Sequence, residues 1–143
     1  MMSSECVVVK RTGKPPLRFY GDPLFTQTSY RSGPHLWYDV SLFHRPKGGF
    51  VVDVKCYKKD SGAADMFRGV QADTIGDVLD YLESYDAAAD LDVDSLSGEN
   101  SSEARLRLRE LELRRAVLEA QRQFALAVTP ILEDLVESDR QSR

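Results

Sequence analysis

The spacing of apolar residues changes once along the chain, near residue 73. Before that point apolar and polar positions alternate in short runs, which predicts strands. "CVVVK" is followed by "RTGKPP", whose Gly13, Pro15 and Pro16 interrupt it. "LRFYG" and "LFTQTSY" come next, with "GDP" between them as a turn signal. "HLWYDVSLFH" and "GFVVDVKCYKK" flank "RPKGG", where Pro46 suits the second position of a type I turn and Gly48 and Gly49 suit positive φ. "DMFRGVQA" is a further strand candidate.

After residue 73 the period becomes helical. In "DTIGDVLDYLESYD", Ile75, Val78, Leu79, Leu82 and Tyr85 share one face, and Thr74 with Asp77 resembles a cap. "AAADLDVDSLSGENSS" is acidic and without period, as a linker is. A long helix is expected over residues 100 to 138, with Asn100 and Glu103 placed as a capping box. Pro130 removes a backbone donor there and should kink or divide the helix.

The expected fold is α+β: an antiparallel sheet of about five strands, a covering helix, then a long C-terminal helix. The division is residues 1–86 as the sheet domain, 87–99 as an acidic linker, and 100–138 as a helical interaction element.

Parity sorts the central hairpin into two faces. Leu36, Tyr38, Val40, Leu42, Val52, Val54 and Cys56 form an apolar even face, and the first helix is its natural cover. The odd face mixes Trp37, Phe43 and Tyr57 with Lys55 and Lys59, while Arg45 and Lys47 stand at the loop. Rings interleaved with cations suit single-stranded nucleic acid, which stacks its bases and pairs its phosphates. Asp39 and Asp53 on the same face oppose that reading. The favoured alternative is that the C-terminal helix packs there.

That helix carries one stripe through Leu106, Leu113, Val117, Ala120, Phe124, Ile131 and Leu135, and a second through Leu111, Leu118, Ala125 and Leu132. A buried Leu or Phe is worth roughly 1.5–3 kcal/mol, so this band demands a partner surface. The expectation is a homodimer, or a protein partner, held through Leu106, Leu113, Val117, Phe124, Ile131 and Leu135.

Charge divides with the pattern. Residues 1–72 hold eleven Lys and Arg against six Asp and Glu, and residues 73–143 hold eight against seventeen. A basic half beside an acidic half fits either a polyanion surface or attraction within the chain.

Candidate chemistry is sparse. His35 and His44 stand in no catalytic motif, and Cys6, His35, His44 and Cys56 lack the close pairs of a zinc site. The run from Asp90 has Ser95 and Ser101 where a calcium loop needs Gly and Glu. No phosphate-binding, dinucleotide, metalloprotease or hydrolase signature occurs. No enzyme, cofactor or metal is therefore expected, although a small enzyme with an unfamiliar site is the third reading. No apolar run is long enough to span a bilayer. Cys6 and Cys56, both inside strand-like runs, are expected to be buried reduced thiols in a cytoplasmic protein.

Overall fold

A computed structural model of the chain describes residues 5–31, 35–59, 64–91 and 103–141. Its architecture is α+β. Five strands form an antiparallel meander in chain order: β1 (Glu5–Arg11), β2 (Lys14–Thr28), β3 (Leu36–His44), β4 (Phe50–Lys58) and β5 (Met66–Ala72). Helix α1 (Ile75–Glu83), a 3-10 turn (Ala87–Asp90) and helix α2 (Glu103–Gln141) follow.

The central hairpin forms in the expected register, with Trp37 opposite Tyr57 and Phe43 opposite Val51. Its loop is a turn in which Gly48 N–H donates to Arg45 O at 2.8 Å, with φ of 114° at Gly48 and 89° at Gly49. Thr74 caps α1 as its spacing implied, its hydroxyl accepting from Asp77 N–H at 3.1 Å.

The "GDP" signal is not a turn. Residues 14 to 28 form one long strand, and the pairing of β2 with β3 shifts register between Pro23 and Phe25. Pro23 has no N–H to place in a ladder, so the break is absorbed as a bulge and the strand bends instead of ending. The bulge also exchanges faces: Leu17 and Phe19 share a side with Thr26 and Thr28, not with Phe25. Pro15 and Pro16 likewise lie inside β2, at its start, after a tight turn in which Gly13 has φ 75°.

The bend curls the sheet until it is nearly a barrel. Thr12 N–H donates to Phe67 O at 2.7 Å, and Phe67 N–H donates to the Thr12 hydroxyl at 2.8 Å, bringing the end of β1 onto β5. Gly69 makes this approach feasible. A Cβ there would meet Val9 Cγ1 at 2.5 Å. Inside the curl, Val9, Phe19 and Val51 form a small core with Val7, Leu17 and Phe43 against it.

The main core lies on the outer, even face. Tyr38, Val40, Leu42, Val52, Val54 and Cys56 are buried beneath both helices, with Val78 and Leu82 from α1 and Ala120, Phe124, Ala127, Val128, Ile131 and Leu135 from α2. The expected position of α2 on the odd face is therefore incorrect. Curling hides much of the odd face, so the convex side alone offers a long apolar strip for a helix.

Two smaller expectations also change. Pro130 neither ends nor divides α2, which is one helix through that position. The acidic stretch begins with an ordered 3-10 turn in which Ala87 and Asp90 are buried; residues 92–99, and Asn100 as a cap, lie outside the described residues.

Candidate functional site

Among the described residues, the candidate groups fall on two surfaces, the concave face of the sheet and the outward side of α2.

The concave face is built in rows across the strands. Trp37 stands opposite Tyr57, with ring centroids 5.4 Å apart and planes 26° from parallel. Tyr30, just past β2, meets Trp37 edge-on at 4.8 Å, and Phe67 meets Tyr57 at 6.1 Å, so four rings line the open end of the curl. The next row is Thr28, Asp39, Lys55 and Phe67; the one after is Thr26, Ser41, Asp53 and Gly69. Phe43 and Val51 close the far end.

The middle rows hold the charge. Asp53 is only 4% exposed; its Oδ2 lies 3.5 Å from Lys55 Nζ, and its Oδ1 has no hydrogen-bond partner among the described residues. Asp39 Oδ1 is buried and equally unpartnered. Burial raises the Asp53 carboxyl above the usual carboxylate range, Lys55 opposes this, and the Asp39 charge adds to it. The Thr26 and Ser41 hydroxyls lie 3.3 Å apart at the floor. A depression of about 520 Å³ opens between Thr26, Thr28, Tyr30, Trp37 and Asp39.

The nucleic-acid set is only partly assembled by this geometry. Trp37, Tyr57, Lys55 and Lys59 fall toward one end of the hairpin. Phe43 packs in the small core, 5.6 Å from Phe19. Arg45, bonded to Gln71, and Lys47 stand at the opposite end, roughly 20 Å away at strand rise. Two carboxylates lie between the ends. Tyr30 and Phe67 escaped the sequence reading because each belongs to the ring row through tertiary placement.

On α2 the expected partner set also divides. Phe124, Ile131 and Leu135 are buried against the chain's own sheet, Leu113 and Val117 are half-buried, and Leu106 is exposed. No residue of α2 before Ala120 is buried. Of the second stripe, Leu132 packs against the core, whereas Leu111 and Leu118 face outward with Leu108; these three are 62%, 66% and 57% exposed. At 3.6 residues per turn these three lie roughly 120–180° around the helix from Ala120. Leu108 was missed because Arg115 and Arg122 interrupt the spacing that it begins.

A further titratable cluster joins the turn after α1 to the sheet. Asp90 Oδ2 accepts from the hydroxyls of Tyr38 at 2.7 Å and Tyr85 at 2.6 Å, and Oδ1 accepts from Arg68 Nε at 2.8 Å. Burial and these bonds push both tyrosine hydroxyls well above their ordinary range. Phe124 stacks on Tyr85 at 4.3 Å, so the cluster also seats α2. His35 is exposed, and the His44 ring rests 5.4 Å from Phe50. Among the described residues no group of three His, Cys, Asp or Glu is arranged for a metal, and no helix is long and apolar enough to cross a membrane.

The chain matches no protein-family model, and no curated protein or solved structure is significantly similar to it.

Proposed function

We propose that this chain is a non-enzymatic interaction module that self-associates by pairing the outward stripe of α2 with that of a second copy. The observation that carries the reading is the exposure of Leu108, Leu111 and Leu118 on the side of α2 away from its own sheet. No residue of α2 before Ala120 is buried, and in proteins most helical stability comes from packing an apolar face against a partner surface. A second helix supplies the missing cover.

Charge selects the orientation. With Ala104, Leu111, Leu118 and Ala125 as d positions and Leu108, Arg115 and Arg122 as a positions, Arg107 and Arg114 occupy g, and Glu112 and Glu119 occupy e. In a parallel pair Arg107 meets the partner's e position 112 and Arg114 its position 119, both Arg opposite Glu. In an antiparallel pair g meets g and e meets e, which sets like charges together. The intrachain pairs Arg107–Glu103 at 3.7 Å and Arg114–Glu110 at 3.0 Å are exposed and contribute little, so exchanging them costs little. Arg115 and Arg122 at a positions weaken the seam, although their stems cover apolar surface. Both sheet bodies face away from a two-fold axis beside the stripe, so the pairing is closed.

The non-enzymatic part of the reading is supported by Asp90, Tyr38, Tyr85 and Arg68 being bonded to one another, with only Arg68 and Tyr85 of the four reaching a small depression of about 200 Å³. An exposed free thiol at Cys6 suits a reducing compartment such as the cytoplasm.

Light scattering of the full chain and of the Leu111→Glu, Leu118→Glu variant tests the proposal. A dimer mass for the first and a monomer mass with unchanged circular dichroism for the second are expected. Equal masses for both would refute it.

A further inference from the structure

The open end of the curl carries charge as well as rings. We infer that it binds single-stranded nucleic acid, with phosphates along a basic rim and one base seated against Tyr30. A line of contacts crosses this end. Lys10 Nζ stands 5.9 Å from the Phe67 ring centroid, Phe67 meets Tyr57, Tyr57 stacks on Trp37, and Trp37 meets Tyr30. Bonds between Thr12 and Phe67 bring Lys14, two residues on, to the same end. Arg31 follows Tyr30, and the Lys59 N–H donates to His35 O at 2.8 Å, which fastens Lys59 beside the start of β3. Lys10, Lys14, Arg31 and Lys59 are all exposed.

Charge at this end favours a polyanion. Lys55 answers Asp53 at 3.5 Å, Asp65 Oδ1 accepts from the Lys58 N–H at 2.9 Å, and Arg11 turns its Nε to Pro15 O at 2.8 Å. With Arg11, Lys55 and Lys58 added to the four exposed cations, seven positive charges stand against Asp39, Asp53 and Asp65, an excess of four among the described residues. Asp60, outside those residues, would leave an excess of three. The carboxylates on the concave face lie inward of the rim, Asp53 being 4% exposed and Asp39 half-buried. Of the four rings, Trp37 and Tyr57 cover each other's faces, whereas Tyr30 ends the row and is 51% exposed. It lines the depression of about 520 Å³ beside Thr26, Thr28 and Asp39. A base is flat and uncharged, so it lies on Tyr30 there without repulsion from Asp39. Only an unpaired strand has such a face to present.

Fluorescence anisotropy of a labelled thymidine octanucleotide, titrated with the full chain at several salt concentrations, tests this. Saturable binding is expected, with log K falling against log salt at a slope of roughly −3, about −0.7 for each phosphate that the four cations neutralise. Lys10→Gln with Arg31→Gln should halve the slope and weaken binding, while Arg45→Gln with Lys47→Gln, at the opposite end, should change neither. Tyr30→Ala should weaken binding about fivefold or more, as loss of one stacked base does, and Tyr30→Phe should restore it. These residues are exposed or half-buried, so thermal unfolding should be unchanged throughout. No saturable binding at low salt, equal or tighter binding of a duplex of the same length, or an affinity unaltered in Tyr30→Ala overturns the inference. Polyglutamate that displaces the oligonucleotide and binds the Tyr30→Ala chain as well as the parent would assign the rim to an acidic protein segment, and would overturn it too.

Discussion

The hydroxyl of Tyr38, in the middle of β3, donates to Asp90 Oδ2 at 2.7 Å across 52 positions of sequence. With Tyr85 and Arg68 on the same carboxylate, this bond fastens the turn after α1 to the sheet beneath α2. Asp90→Ala leaves the buried Tyr38 hydroxyl, the half-buried Tyr85 hydroxyl and the 36%-exposed Arg68 guanidinium without their acceptor. Orphaning a buried donor costs roughly 1–3 kcal/mol, and water reaches the guanidinium. Urea unfolding followed by circular dichroism should show a loss of that order. A change under about 0.5 kcal/mol would show the cluster to be incidental.

Gly69 controls the curl. Gly69→Ala places a methyl 2.5 Å from Val9 Cγ1, and β1 must lift from β5 to admit it. Overpacking of this kind costs roughly 1–3 kcal/mol. Hydrogen exchange at the Thr12 and Phe67 amides, which bond across this seam, should accelerate in the variant. Unchanged protection there would mean that β1 and β5 are not held by this contact.

The two thiols differ where the sequence suggested likeness. Cys56 is buried, and burial above all, with the nearby Asp90 charge, pushes its thiol up to about 12. Cys6 is exposed. One thiol per chain should react rapidly with an aromatic disulfide reagent in the native state, and the second only on unfolding. Two fast thiols, or none, would contradict the strand register.

That difference shows what was legible. Alternation in residues 36–58 predicted the hairpin and its buried even face, and the Thr74–Asp77 spacing predicted a helix start, because each signal is local. Cys6 was misplaced because "CVVVK" is apolar at both parities up to Lys10. Only pairing with β2 sends Val7 and Val9 inward and leaves Val8 exposed. The unity of β2 was hidden by Asp22–Pro23, which reads as a turn unless the next strand is present to accept a bulge. The side on which α2 packs depends on the curl, and the curl depends on Gly69 and Thr12, which no periodicity marks. The ring row and the paired carboxylates share that origin.

Asp53 carries a pH dependence with a definite sign. It faces Lys55 on its own strand and Asp39 on β3; β5 offers Gly69 there, with the Arg11 side chain from β1 beside that glycine. Its carboxyl is raised above 3.8 in the folded chain, by burial first. The folded state therefore holds the proton more tightly, and stability from this group is present at acid pH and falls as pH rises through the folded value. Asp53→Asn removes that dependence. The variant should melt higher than the parent at pH 7, with the gain shrinking towards pH 4. A gain that grows on acidification would reverse the assignment.

A parallel pair along the outward stripe of α2 sets like residues of two copies side by side, and an interchain disulfide detects that pairing. In a Cys6→Ser background, Leu111→Cys sets one thiol at a d position, where parallel helices bring like residues within disulfide reach. Glu110→Cys, one residue away on a different side of the helix, is the control. Mild oxidation of the Leu111→Cys chain should give a covalent dimer by non-reducing electrophoresis, while the Glu110→Cys chain stays monomeric. A Leu111→Cys chain that remains monomeric, or crosslinks no faster than the control, would mean that α2 does not pair in parallel along this stripe.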